Sequence, residues 1–115
     1  MTITRHDVGP RMSQAVEYGN LVFLAGQVAS DPSADVKGQT QQILDRIDTL
    51  LAECGSNKSK LLSAQIWLSD IGTFADMNSV WDAWIDPENP PCRACVESKL
   101  AAPQYVVEIM VTAAK

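Results

Sequence analysis

Apolar side chains recur at helical spacing in two stretches of this chain, and the segments around them alternate as strands do. The first stripe is Ile43, Leu44, Ile47, Leu50, Leu51 and Cys54, with Asp45, Arg46, Asp48 and Glu53 off it. Gly55 follows as a natural C′ residue, because glycine takes the left-handed conformation without a Cβ clash. The second stripe is Phe74, Met77, Val80, Trp81, Trp84 and Ile85. Thr73 is the expected N-cap of that helix, with Asp76 at the capping-box position. Pro87, Pro90 and Pro91 prevent any continuation.

Between the helices, Leu62, Ala64, Ile66 and Leu68 alternate with Ser63, Gln65, Trp67 and Ser69, which predicts a strand with one apolar and one mixed face. Ahead of the first helix, residues 3–8 predict a short strand that Gly9-Pro10 breaks. Met12–Glu17 and Leu21–Ala29 then form a hairpin about Tyr18-Gly19-Asn20. Arg93–Leu100 and Tyr105–Ala113 are the closing strands, with Pro103 in the turn between them. Both Leu21–Ala29 and Tyr105–Ala113 are apolar on two faces. Two helices cover only one face of a five- or six-stranded sheet, so a monomer would expose a larger apolar patch than soluble proteins carry. The second face is therefore expected to pack against other subunits.

Length and charge narrow the function. With 115 residues the chain is one domain, 1–115, too short for a kinase or a (β/α)8 barrel. The net charge is −5 and the nine basic residues never cluster, so nucleic acid is not an expected partner. No apolar run nears the roughly 20 residues of a membrane span. The first residues lack the apolar core of a signal peptide, so the expected location is the cytosol, away from membranes. Three cysteines do not make a disulfide framework, and the single histidine, His6, reads as a surface residue. No zinc site and no nucleotide cofactor is expected, since neither a ligand set with zinc spacing nor a GxGxxG or Walker A loop is present.

Four residues carry candidate chemistry. Cys92-Arg93-Ala94-Cys95 matches C-x-x-C, but on a strand positions 92 and 95 point to opposite faces and do not readily pair. Arg93 and Cys95 share a face. The Arg93 guanidinium suits a carboxylate ligand, against the blander reading of an exposed arginine in an ordinary ion pair. Glu108 is the only charged residue between Tyr105 and Ala114. It is either a general base or acid, or one half of a structural ion pair. Asn78 borders the apolar stripe of the second helix. Gly26, inside an otherwise apolar strand, suggests a bulge or a close backbone approach.

Together these residues resemble the RidA family, also called YjgF/YER057c. The resemblance rests on Leu24-Ala25-Gly26-Gln27 after a Gly-Asn hairpin and on Phe74–Ile85 with Asn78 inside it. It rests further on Pro91-x-Arg93-x-Cys95-Val96-Glu97, then Pro103 and Val107-Glu108-Ile109. It implies a chorismate-mutase-like, two-layer α+β domain with two helices on one face of a mixed sheet, assembled as a homotrimer with clefts between subunits. It also implies a hydrolase that converts reactive 2-imino acids of the 2-aminoacrylate, 2-iminopropanoate or 2-iminobutanoate type to 2-keto acids and ammonia, without a cofactor. By position, Arg93 binds the substrate carboxylate, Cys95 lines the cleft, Asn78 is a polar cleft residue and Glu108 orients or activates water. Two positions depart from the family pattern. Met12 falls nearest the place of a tyrosine, and Ala25 stands where the archetype has a serine. These departures point to a divergent branch acting on different imines. The alternative reading is a binder of small carboxylates that does not turn them over. Older family labels as an endoribonuclease or translation inhibitor fit poorly with the acidic charge.

Overall fold

The computed structural model describes residues 1–115. Six strands and two helices follow one another as β1 (Ile3–His6), β2 (Ala15–Tyr18), β3 (Leu21–Leu24), α1 (Val36–Glu53), β4 (Leu61–Leu68), α2 (Phe74–Trp84), β5 (Cys92–Glu97) and β6 (Val107–Ala114). They form one mixed sheet in the order β1-β2-β3-β6-β4-β5. Every neighbouring pair is antiparallel except β4 and β5. A parallel pair needs a crossover, and α2 supplies it. This is the expected α+β class, with the sheet at six strands.

The core lies between the helices and one face of the sheet. Val22, Ala64, Ile66, Leu68, Val107, Ile109 and Val111 alternate onto that face and pack with Ile43, Leu44, Ile47, Leu50, Leu51, Met77 and Trp81. The predicted stripe of α1 is thus its buried face. The first turn of α1 carries no such stripe and is held by polar groups instead. Asp35 caps it by accepting from the Gly38 amide at 2.8 Å. The fully buried Gln39 amide donates to the carbonyls of Pro32, Ala34 and Gln104, and its oxygen accepts from the Val106 amide. Gln39 thereby pins the loops on either side of the core without leaving a buried donor unpaired. Gly55 follows α1 at φ 73, as its expected role as helix stop requires.

The other face is uncovered within one chain. Leu21, Phe23, Val96 and Met110 are exposed there at 38%, 42%, 45% and 39%. No helix is long and apolar enough to cross a membrane.

Several expected boundaries move, each for a physical reason. The run Leu21–Ala29 is broken after Leu24. The chain leaves the β3 ladder at Ala25-Gly26 and rejoins β6 only at an isolated bridge between Gln27 and Ile109. Leu62, expected on the apolar face, is 47% exposed because a register shift between Leu61 and Ser63 turns it outward. β5 ends at Glu97 rather than Leu100, after which the chain turns away toward Pro103, which cannot donate to a ladder. Thr73 does not cap α2 with its side chain. Its hydroxyl donates to the Asp70 carbonyl, within a single 3-10 turn (Ile71–Thr73) that leads into the helix and is capped by Asp70.

Candidate functional site

Parallel pairing of β5 with β4 decides where the strand residues point. Arg93 lies beside Ala64 and Cys95 beside Ile66, so both face the helix layer, as their i, i+2 spacing implied. Cys92 lies beside Ser63 and faces the open side, so the C-x-x-C cysteines are split across the sheet. All three cysteines are free thiols. Burial pushes the Cys95 thiol up from its ordinary 9.0, only partly offset by the nearby Arg93 charge, so it is protonated at neutral pH.

Arg93 meets the side of α2. Its Nη1 donates to Asn78 Oδ1 at 2.8 Å. Its Cζ lies 5.2 Å from the Trp81 ring centroid and 5.7 Å from that of Phe74. Residues 74, 78 and 81 form one stripe of the helix, which is why a single element supplies all three contacts. Asn78 is therefore a partner of the arginine rather than a boundary residue. None of the three ion pairs of the chain includes Arg93, which removes the reading of an ordinary surface salt bridge.

Glu108 is elsewhere. It pairs with Trp67 across the β4–β6 ladder, on the open face, opposite to Arg93. Its carboxylate lies against the backbone at Gly26. A Cβ built there would be 2.2 Å from Glu108 Oε2 and 3.1 Å from its Cδ. This is the close approach that a glycine inside the strand predicted. Glu108 also takes part in none of the ion pairs of the chain. A hollow of about 350 Å³ is lined by Ser63, Gln65, Cys92, Arg93, Met110 and Thr112, among others, and Glu108 does not line it.

The structure thus brings Arg93, Asn78 and Cys95 together on one face and leaves Glu108 on the other. Met12 is exposed and Ala25 half-buried, and neither offers a hydroxyl. One cluster was not foreseen. His6 Nε2 lies 2.5 Å from Glu17 Oε2, Lys115 Nζ lies 2.7 Å from Glu17 Oε1, and the buried Cys54 completes a group whose His6, Glu17 and Cys54 donor atoms all lie within 4.8 Å of one another. Hydrogen bonds from Lys115 and His6 hold the Glu17 carboxyl below its ordinary pKa. His6 is paired and half-buried rather than a free surface residue. Only the β1–β2 register, which sets His6 beside Ala15, and the return of β6 bring these distant positions together.

The fold and this arrangement define a small two-layer α+β protein that presents an uncancelled arginine at the edge of its sheet. A family model described as Endoribonuclease L-PSP matches residues 3–115. A RutC family protein of Haemophilus ducreyi is 44% identical over 112 residues, covering 97% of this chain and 96% of its own. The RutC family protein YoaB of Escherichia coli is 42% identical over 114 residues, covering 99% of each. The crystal structure of a YjgF family member from Neisseria meningitidis matches with a TM-score of 0.97 at 46% identity, over 100% of this chain and 96% of that one. The chain belongs to this YjgF/RidA family.

Proposed function

We propose that the protein is a cytosolic imine deaminase that hydrolyses 2-imino acids to 2-keto acids and ammonia, in clefts formed between the subunits of a homotrimer. The observation that carries this reading is the Arg93 guanidinium, held in place yet not neutralised by any carboxylate of the chain. Such a fork suits a substrate carboxylate by two parallel hydrogen bonds. It would fix the imine carbon for attack. Glu108 is suited to the second task. Water adds to the iminium carbon as the carboxylate takes one of its protons. That proton is then delivered to the nitrogen, the C–N bond breaks, and ammonia leaves as the keto oxygen forms its double bond and gives its remaining proton to the same carboxylate, which passes it to the departing ammonia. The reaction consumes one water and needs no electron transfer.

Arg93 and Glu108 of one copy face away from each other across the sheet. The two roles can therefore share a cleft only if a second copy contributes one of them. The exposed Leu21, Phe23, Val96 and Met110 on the open face supply an apolar surface for that contact. A second reading is favoured by Met12 and Ala25, which lack the hydroxyls of the family pattern: a carboxylate binder without turnover. The test is to generate 2-iminopropanoate and 2-iminobutanoate with an amino-acid oxidase and follow their disappearance. Acceleration lost in Arg93→Ala supports the deaminase. Binding of pyruvate without acceleration supports the binder, and neither result leaves both readings refuted.

A further inference from the structure

The Arg93 charge is held by groups that do not cancel it. An aspartate or glutamate beside an arginine would spend the arginine's charge on itself through a charge-assisted pair. Here the helix facing it offers an amide oxygen at 2.8 Å from Asn78 and two aromatic rings at 5.2 and 5.7 Å from Trp81 and Phe74. All three contacts are electrically neutral, and all come from one stripe of α2. Trp81 is 5% exposed and anchored in the core, while Phe74 is 40% exposed. A buried ring and a surface ring thus steady the guanidinium while Asn78 occupies Nη1. The other guanidinium donors make no side-chain hydrogen bond within the chain.

We propose that Asn78, Trp81 and Phe74 form a neutral clamp that makes Arg93 an anion receptor, acting as positioning residues rather than as contacts to the ligand. The clamp rests on the reading of Arg93 as the carboxylate site. On this reading the amide at position 78, three residues before Trp81, serves the site where an acid would not. An aspartate there would keep the same shape and the same acceptor geometry but would become a built-in carboxylate ligand for Arg93. The rings contribute differently. They attract the cation without competing for its N–H groups.

The decisive variant is Asn78→Asp, compared with wild type, Phe74→Leu, Trp81→Phe and Arg93→Ala. Pyruvate and benzoate are titrated into the intact protein by calorimetry, with tryptophan fluorescence as a second readout because Trp81 is 5.2 Å from the guanidinium. The expected result is a loss of affinity of about tenfold or more in Asn78→Asp, the range of a charge-assisted hydrogen bond. Its melting temperature should be equal to or above that of wild type. Phe74→Leu, at an exposed site that does not threaten folding, should weaken binding about two- to tenfold. Trp81→Phe keeps a ring and should retain most affinity. A merely structural role for Asn78 predicts the reverse, because the aspartate would strengthen the contact and leave binding intact. Wild-type affinity in Asn78→Asp, with binding lost in Arg93→Ala, would overturn the clamp and spare the carboxylate site. No binding by wild type, or binding unchanged in Arg93→Ala, would overturn the site itself.

Discussion

Arg93 and Glu108 stand on opposite faces of one sheet: Arg93 is level with Ala64 on the helix side, and Glu108 is level with Trp67 on the open side. If the two cooperate, they do so across a subunit boundary. This makes a complementation experiment informative. Arg93→Ala and Glu108→Gln chains, each inactive alone, are refolded together in equal amounts. In the proposed homotrimer, roughly three in four random assemblies are then mixed and each of these regains about one intact cleft of three, so imine hydrolysis should return to about a quarter of the wild-type rate. A site built within one chain predicts no recovery at all.

The contact between Gly26 and Glu108 gives a second prediction. Any side chain at position 26 meets the carboxylate, since an added Cβ would lie 2.2 Å from Oε2. Gly26→Ala must therefore push the Glu108 carboxylate out of place, costing less than the roughly 1–3 kcal/mol of core overpacking because the group displaced is the end of a flexible side chain. Imine hydrolysis should fall by more than this stability loss explains, because the displaced group is the one assigned to water. Adding Glu108→Ala to Gly26→Ala should restore most of the lost stability while activity stays absent. A denaturation series on the two single variants and the double variant measures this coupling.

These two relationships also mark what the amino-acid pattern could and could not convey. The stripe from Ile43 to Cys54 and the alternation from Ala64 to Leu68 are local signals that the structure keeps, whereas Leu62 is turned out by the register shift beside it. The first turn of α1 was silent because Gln39 and Thr40 are buried through hydrogen bonds rather than apolar contact. The break in Leu21–Ala29 was half visible: Gly26 announced a close approach, but the group that approaches comes from β6. For the site, spacing alone put Arg93 and Cys95 on one face. It could not show that Asn78 reaches Arg93, because that contact depends on where the crossover sets α2 over β5. The opposition of Arg93 and Glu108 was likewise hidden, since it follows from the order of three strands and not from either strand.

Cys95 offers a third prediction. Burial raises its thiol above the ordinary 9.0, and the adjacent Arg93 charge only partly offsets this. The thiolate, the reactive form, is therefore scarce at neutral pH. Iodoacetamide should modify the exposed Cys92 well before Cys95 at pH 7.5, which peptide mass spectrometry can resolve. Cys95→Ala should keep most of the deaminase rate, because the proposed chemistry asks the residue to line the cleft and not to donate electrons. A rate lost in Cys95→Ala with folding intact would assign the thiol a direct part.

The last prediction concerns the cluster at the opposite end of the sheet. Hydrogen bonds from Lys115 and His6 depress the folded-state pKa of Glu17 below its ordinary value of 4.5. The stabilisation this represents is complete above the unfolded pKa and fades as pH falls through the depressed folded value, where the carboxylate finally takes its proton. The melting temperature of the wild-type protein should therefore drop below about pH 4.5 partly through this one residue. In Glu17→Gln the negative charge that holds Lys115 is gone, so the melting temperature at pH 7 should be lower and the acid limb of the profile flatter. Lys115→Met should reproduce part of the effect, since it removes the Lys115 contact to Oε1 and leaves His6 in place. Parallel pH profiles for wild type and Glu17→Gln, with no convergence at low pH, would show that the cluster contributes nothing to acid stability.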